Sequence, residues 1–405
     1  MTVFEELKAR GLIAQMTHEA EVKDALENQK IAFYIGYDAT ADSLHVGHML
    51  QVIIMKRLQD AGHIPIFLLG GATTKIGDPS GKSDMRKMLT DEDIAHNIEC
   101  FKKQFATFCD LSEGKALLVN NADWTDKMSV ADFIRLGFNF NVNTMLRADC
   151  YATRLETGGL TLGEMCYMPM QSMDFLHLYE TYDCRMQLGG NDQWSNIIAG
   201  VELIRKIKGE RGNVFGMTFN LLTTTAGVKM GKTEKGTIWL DAEKTSPYEL
   251  YQYWRNVEDG NAIRCLKLLT FVPLDEILEM EKWEGSQLNV AKERLAYEIT
   301  KMVHGVGEAD KALESSKQLF GGGGDAANMP TTAISIGDGI GILDLLIQTG
   351  LVSSKSEGRR LIGEKGISID GELVADADMI VKESNFTNNE LIIKKGKKKF
   401  HKVTI

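Results

Sequence analysis

Apolar and polar positions fall into repeating blocks along the first half of the chain, and each block ends in a turn signal. Lys30 to Tyr37 is a short, mostly apolar run with the length of a buried strand. From His45 onward Val46, Met49, Leu50, Ile53, Ile54 and Leu58 recur at helical spacing until Gly62 closes the segment. His63 to Gly70 repeats the strand, Asp91 to Cys109 the helix and Ala116 to Asn120 the strand again, and Ser129 with Asp132 opens a further helix. From about Asn139 to Leu160 the pattern is broken, as an insertion would be. Thr161 and Glu164 then form a capping box for a helix running to about Thr181. Cys184 to Leu188 is the next strand, and it ends in Gly189-Gly190-Asn191-Asp192-Gln193-Trp194 before another helix. Strands alternating with helices predict an α/β fold, a Rossmann-type doubly wound parallel sheet with ligands at the strands' carboxyl ends. Residues 1 to 30 read as amphipathic helix beside the first strand.

Beyond Lys232 the pattern turns helical, with Ser246 as a cap and Pro247 at the first helical position. Gly321 to Gly324, followed by Asp325, Asn328 and Pro330, reads as a flexible linker. The remainder is short and mixed: a helix at Leu343 to Thr349, a basic helix, a tight glycine turn and a hairpin. The expected organisation is a Rossmann-type domain with a connective insertion over 1–222 and an α-helical domain, opened by a glycine loop, over 223–320. A linker follows over 321–330, and a small α+β domain over 331–405.

Composition narrows the class without changing this picture. With 405 residues, 43% hydrophobic and 25% charged, the chain is of globular type and has material for more than one domain. No apolar run approaches the roughly 18 residues of a membrane span, and MTVFEELKARG has no signal-peptide core, so a cytoplasmic location is expected. The six cysteines form no Cys-x-x-Cys pair and have no histidine at ligand spacing, so they read as reduced thiols and predict neither a metal site nor a disulfide framework. The formal charge of −10 argues against nucleic acid only if it is uniform. From Leu391 onward the chain carries Lys394, Lys395, Lys397, Lys398, Lys399 and Lys402 with no acidic residue, a local basic surface of the kind that binds RNA.

The candidate chemistry starts at His45-Val46-Gly47-His48, two histidines at a helix N-terminus just past a strand end. Free backbone N–H groups and the helix dipole there favour phosphate, and Gly47 lacks the Cβ that would keep a ligand away. Far along the chain lies Lys229-Met230-Gly231-Lys232-Thr233. The ordered pair HVGH and KMGKT resembles the two signatures of class I aminoacyl-tRNA synthetases, a His-x-Gly-His turn and a mobile Lys-Met-Ser-Lys-Ser loop. That resemblance implies attack of an amino-acid carboxylate on the α-phosphate of ATP, which needs alignment and charge stabilisation and no covalent nucleophile. Thr40, His45 and His48 can donate to phosphate or ribose oxygens. Lys82, Arg86, Lys229 and Lys232 can close over the outer phosphates from two loops, helped by Thr233 and a magnesium ion that comes with ATP. On the helix opened by Thr161, Tyr167, Gln171 and Asp174 share one face. Tyr34 and Asp174 could grip a substrate hydroxyl, and Asp78, Tyr167 and Gln171 could surround an ammonium group.

More specific stretches, YIGYDATADSLHVGH, GGATTKIGDPSGK, the Tyr167–Gln171–Asp174 helix, QLGGNDQWSN and KTSPYELYQYW, make the whole chain similar to bacterial tyrosyl-tRNA synthetases. The resemblance implies tyrosine, ATP and tRNA as substrates. It places Tyr34 and Asp174 on the tyrosine hydroxyl, Asp78, Tyr167 and Gln171 on its amino group and Gln193 near its carboxylate. Gly36, Asp38, Thr40, His45, Gly47, His48, Gly190, Asp192 and Lys232 fall to ATP. The C-terminal stretch resembles the RNA-binding fold of ribosomal protein S-four, which implies tRNA contact at Arg359, Arg360, Lys365, Lys397 and Lys398. A homodimer is implied as well, with its interface in the Asn139 to Leu160 region. The chain departs from relatives at Ile35 and Gln51, near the expected ribose and adenine. Among rival readings, a tryptophanyl enzyme would find two hydroxyl-binding groups facing one indole N–H. A small-metabolite nucleotidyltransferase needs neither the second loop nor a basic tail, and a non-catalytic RNA-binding regulator would be expected to lose the phosphate-handling residues.

Overall fold

The computed structural model describes residues 1–79, 89–209, 212–225, 227, 229–233, 236–321, 330–337, 339–387, 389–396 and 399–405. They form two compact units, 1–244 with 257–291, and 245–256 with 292–405. In the first unit α1 (Val3–Ala9) and α2 (Glu19–Asn28) flank a two-residue strand, β1 (Gln15–Met16), which the sequence reading of a wholly helical N-terminus missed. Then come β2 (Ala32–Tyr37), α3 (Val46–Asp60), β3 (Ile64–Leu69), α4 (Thr73–Ile76), α5 (Asp91–Phe108) and β4 (Leu117–Asn120). The short α6 (Ala122–Thr125), α7 (Val130–Gly137), α8 (Val142–Met145) and α9 (Asp149–Thr157) lead to the long α10 (Leu162–Tyr182). After β5 (Cys184–Gly190), α11 (Trp194–Lys208) and β6 (Phe215–Phe219), a small hairpin of β7 (Lys232–Thr233) and β8 (Gly236–Thr237) stands where a glycine loop leading into helix was expected. The chain leaves for α12 (Pro247–Arg255), which belongs to the second unit, and returns with α13 (Asp259–Leu269) and α14 (Leu274–Met280).

The six strands are ordered β1-β6-β5-β2-β3-β4, all parallel except the edge strand β1, which runs antiparallel to β6. The chain builds outward from β2 through β3 to β4, then crosses to β5 on the other side of β2. The sheet's switch point therefore lies between β2 and β5, where their carboxyl ends open a crevice. Phe33, Ile35, Ile66, Phe67 and Met186 are at most 1% exposed, because a parallel sheet covered on both faces has no wet side. The segment expected to be irregular, 139–160, contains α8 and α9. Its helices are short because Asn141 caps the first and Gly158 ends the second, which hid their period in the sequence. Around them Val130, Ile134, Phe138, Val142, Leu155 and Leu162 are exposed, an apolar surface unusual for an isolated chain.

One buried ion cluster holds α3 from behind. Glu6 accepts from Arg10 Nε and from Arg57 Nη1, each at 2.7 Å. The two guanidiniums donate onward to the carbonyls of Val272 and Thr270, and Arg57 lies over the Phe271 ring at 4.4 Å. Burial, with Arg10 alongside, pushes the Arg57 guanidinium down to about 10.

In the second unit α12 begins with the expected Ser246 cap, which forms a capping box with Glu249, and packs on α16 (Val306–Gly321), which follows α15 (Leu288–His304). The C-terminal fold comprises β9 (Thr331–Ala333), β10 (Ile340–Gly341), α17 (Ile342–Gln348), α18 (Lys355–Gly363), β11 (Ile367–Ile369), β12 (Glu372–Leu373), β13 (Ile380–Val381), β14 (Glu390–Lys395) and β15 (Lys399–Thr404). Its five-stranded sheet, β12-β11-β14-β15-β9, shares a core of Leu345, Leu346, Ile367, Leu391, Ile393 and Val403 with α17. The β11–β12 hairpin turns on Asp370 and Gly371, both at positive φ (46° and 90°), a conformation that Asp tolerates and Gly adopts freely.

Candidate active site

A cavity of about 520 Å³ opens at the switch point, lined by the ends of β2, β3 and β5, the first turn of α3 and one face of α10. It gathers Tyr34, Gly36, Asp38, Thr40, His45, Gly47, His48, Asp78, Tyr167, Gln171, Asp174, Gly190, Asp192, Gln193 and Lys229 around one space. Lys82 and Arg86 lie outside the described residues, as do the side chains of Lys232 and Thr233 and, in the C-terminal fold, Lys397 and Lys398.

At the α3 end the local chemistry differs from expectation. The first N–H groups of the helix are not free: Val46 N–H donates to Ile238 O at 3.0 Å and His48 N–H to His45 O at 2.7 Å. Gly47 N–H donates to His45 Nδ1 at 3.0 Å, and the His45 N–H to His48 Nδ1 at 3.2 Å. Each imidazole thus accepts through Nδ1, which leaves the ring proton on Nε2 and makes each ring a donor at its far edge. The helix dipole is passed on through two rings instead of bare amides. Gly47 is also needed for a second reason. A Cβ there would lie 2.7 Å from His45 Cε1, so the glycine makes room for the ring while it lines the cavity. The two rings stack with centroids 4.0 Å apart.

At the other end lies a connected polar network. Asp174 is 2% exposed and accepts from Trp124 Nε1 at 2.8 Å and Asn121 Nδ2 at 3.0 Å. Asn121 also donates to Thr73 Oγ1, whose hydroxyl donates to Asp38 Oδ1 at 2.9 Å, and the Tyr167 hydroxyl donates to Asp38 Oδ2 at 3.4 Å. Burial raises the Asp174 carboxyl to about 7, against the two hydrogen bonds that hold it down. Burial, with Asp174 nearby, pushes the Tyr34 phenol well above its usual range, so it stays a neutral donor. The Tyr34 hydroxyl, Gln171 Oε1 and Gln187 Oε1 are buried at the cavity without a hydrogen-bond partner among the described residues. Buried polar atoms left this way cost about 1–3 kcal/mol each unless something answers them. A bound ligand with its own hydroxyl and ammonium group would do so.

Between the two ends, Gln193 donates to Asp78 Oδ2 at 2.6 Å and Lys229 pairs with Asp192 at 3.2 Å. Lys229, expected over outer phosphates, is therefore held by a carboxylate in this state. Thr73, Asn121 and Trp124 were missed in the sequence. Asn121 follows the last residue of β4, and the carboxyl-end rule that singled out Asp192 could have found it; Trp124 carried no comparable signal.

The raised Asp174 carboxyl has a consequence for stability. Its folded value lies above its unfolded one, so the native state holds the extra proton between about pH 4 and 7. Wild type should lose stability relative to Asp174→Ala as the pH rises through that window, on the order of 2–4 kcal/mol in all. Urea unfolding of both proteins at pH 5 and pH 8 measures the difference, and a gap independent of pH would contradict the buried carboxyl.

In the C-terminal fold the lysine run is not one surface. Lys395 donates to Glu357 Oε1 and to Leu351 O, each at 2.7 Å, and holds the Glu357 carboxyl down at about 2. Lys402 is 8% exposed and pairs with Glu390 at 2.8 Å. These two lysines build the fold, so the RNA-facing reading of the whole run is corrected for them. Arg359, Arg360 and Lys365 are exposed.

Residues 26–321 match the family of class I tRNA synthetases (W and Y), and residues 324–403 match the tyrosine–tRNA ligase SYY-like C-terminal domain. The tyrosine–tRNA ligase of Acetivibrio thermocellus is 55% identical, covering 100% of this chain and 99% of its own. That of Caldanaerobacter subterraneus is 53% identical, covering 100% of both. A C-terminally truncated mitochondrial tyrosyl-tRNA synthetase from Aspergillus nidulans has the same fold, with a TM-score of 0.69 and 30% identity over 79% of this chain and 94% of that one. With both domain models and full-length relatives in agreement with the cavity, the chain belongs to the tyrosine–tRNA ligases of the class I tRNA synthetases.

Proposed function

We propose that this chain activates L-tyrosine with ATP and transfers it to the 3′ end of its tRNA. The observation that carries the reading is the pairing, in one cavity, of a buried phenol and carboxylate with two imidazoles whose Nδ1 atoms each accept a backbone N–H, leaving the proton on Nε2. The carboxylate oxygen of tyrosine attacks the α-phosphorus, the bond to the bridging oxygen breaks, and pyrophosphate leaves. A terminal ribose hydroxyl of tRNA then attacks the acyl carbon, and AMP departs. Tyr34 donates to the substrate hydroxyl and Asp174 accepts from it. Asp78, Tyr167 and Gln171 take the ammonium group, and Gln193, tied to Asp78, lies by the carboxylate. Gly36, Gly47 and Gly190 leave room for the nucleotide, with Asp38 and Asp192 toward its ribose. Thr40, His45 and His48 donate to the reacting phosphate, while Lys82, Arg86, Lys229, Lys232 and Thr233 neutralise the leaving pyrophosphate. Lys229 must exchange Asp192 for phosphate as ATP enters. A magnesium ion brought with ATP would supply further charge neutralisation beside these residues.

Amino-acid-dependent exchange of pyrophosphate into ATP, offering tyrosine, phenylalanine and tryptophan separately, tests the reading. Exchange with tyrosine alone is expected; none with any of the three would overturn it.

The segment 331–405 is read as the tRNA-binding domain, with Arg359, Arg360, Lys365, Lys397 and Lys398 toward the backbone phosphates. A chain ending at Gly321 should keep pyrophosphate exchange within about threefold and lose tRNA charging by about 10²-fold or more, since phosphate contacts supply much of such affinity. Charging assays on both lengths decide it, and undiminished charging would move the tRNA anchor elsewhere. The exposed face of Val130, Ile134, Phe138, Val142, Leu155 and Leu162 supports a homodimer, its interface reaching past 139–160 in both directions. The cytoplasm, where tRNA is charged in bacteria, is the proposed location.

A further inference from the structure

The loop that carries Lys229 and Lys232 returns along residues 238–240, and this return leg is hydrogen-bonded to the turn that carries His45. Ile238 O accepts from Val46 N–H at 3.0 Å, Leu240 N–H donates to Leu44 O at 2.9 Å, and His45 and Trp239 face each other across this antiparallel pairing. Ile238 N–H in turn donates to Gly231 O at 2.8 Å, inside the lysine loop itself. Gly231 has φ 95° and sits so close to α3 that a Cβ would meet Val46 Cβ at 3.1 Å and Gly47 N at 3.3 Å. The loop and the histidine turn are therefore one backbone assembly.

Trp239 sits where they join. Its ring meets the His45 ring edge-on, with centroids 6.0 Å apart and planes at 63°. On the Trp239 ring rests Lys244 Nζ, at 5.5 Å, and that ammonium pairs with Asp42 at 2.8 Å, three residues before His45. Trp239 does not line the cavity, whereas His45 does. Its indole is only partly buried, so filling a core is not its task.

We propose that Trp239 is a positioning residue for adenylate formation: clamped by Lys244, it holds the His45 ring in the orientation that aims Nε2–H into the cavity and keeps the lysine loop in register with it. The claim rests on the functional reading above. Edge contacts between rings favour one ring orientation over others without fixing it, so losing the contact lets the His45 ring sample orientations in which its donor no longer meets the phosphate.

The test uses the full-length enzyme with Trp239→Ala and Trp239→Phe. Pyrophosphate exchange, equilibrium binding of radiolabelled tyrosine, and long-range proton–nitrogen spectra of histidine-labelled protein are measured on each. Trp239→Ala should lower kcat about 10- to 50-fold and leave tyrosine binding within twofold. Trp239→Phe, which keeps a ring edge, should recover to within threefold of wild type. The His45 signal, identified by its loss in His45→Asn, should change from a single Nε2–H tautomer in wild type to an averaged one in Trp239→Ala. A kcat within twofold of wild type, or an unchanged His45 signal, would overturn the proposal. Parallel loss of tyrosine binding would overturn it too, by making Trp239 a general support of the fold. If wild type itself shows no exchange with tyrosine, the functional reading fails and the His45 signal alone decides the positioning claim.

Discussion

Asp174→Ala is expected to lower kcat/KM for tyrosine in pyrophosphate exchange by about 10³-fold, whereas Tyr34→Phe should lower it only about fivefold. The difference follows from what each change leaves behind. Removing the carboxylate deletes a charged hydrogen bond to the substrate hydroxyl, on the order of 1.5–3 kcal/mol, and strands the Trp124 and Asn121 donors in a dry pocket at about 1–3 kcal/mol each. Together these span about 3.5–9 kcal/mol, which includes the roughly 4 kcal/mol that a 10³-fold loss requires at 1.4 kcal/mol per tenfold. The Tyr34 hydroxyl has no hydrogen-bond partner among the described residues, so phenylalanine removes one neutral hydrogen bond of about 1 kcal/mol and orphans none of them. Selectivity for tyrosine over phenylalanine should fall in both variants and further in Asp174→Ala. Initial rates with each amino acid, and circular dichroism to confirm folding, measure this. A loss under tenfold in Asp174→Ala would mean that the hydroxyl is read elsewhere.

His45→Ala should reduce kcat by about 10²- to 10³-fold while KM for tyrosine stays within threefold. One preorganised donor aimed at charge that develops on the reacting phosphate contributes about 3–4 kcal/mol, and the residues that read the substrate's hydroxyl lie at the other end of the cavity. The same change removes the acceptor for Gly47 N–H, so stability should fall by about 1 kcal/mol. His45→Asn separates the two effects. Asparagine is a good helix cap, so stability should return, but its shorter side chain does not reach as far as Nε2, so most of the rate loss should remain. Exchange kinetics and thermal unfolding of both variants test the pair of statements, and a full rate in His45→Asn would assign the histidine to capping alone.

The parts of the fold that were legible in the sequence are those written in local signals. Ser129 and Thr161 each cap a helix where their spacing to an acidic residue placed one, Ser246 caps one where the following Pro247 placed it, and the apolar runs at Phe33 and Phe67 became central strands. The site residues on α3 and α10 were legible because helical spacing alone puts them on one face. What escaped depends on partners distant in sequence. β1 is two residues long and exists only because Thr218 and Met217 of β6 accept it, and Trp124 becomes part of the site only when α6 meets α10. The role of Gly47 was half legible for the same reason: the sequence shows a missing side chain, and only the fold shows that the His45 ring takes part of the space. The basic tail was likewise half legible, since a charge count does not show that Lys395 and Lys402 turn inward to acids on α18 and β14.

The ion cluster behind α3 bears on how the protein is made. Arg10 and Arg57 belong to the first sixty residues, yet the carbonyls that satisfy them are those of Thr270 and Val272, which follow the excursion through α12. A nascent chain that has emerged only to Lys244 holds every strand of the six-stranded sheet but leaves those two guanidiniums with a single shared carboxylate, Glu6. The polar closure behind the histidine helix, which is among the first segments translated, is therefore completed only once α13 and the segment after it have been made.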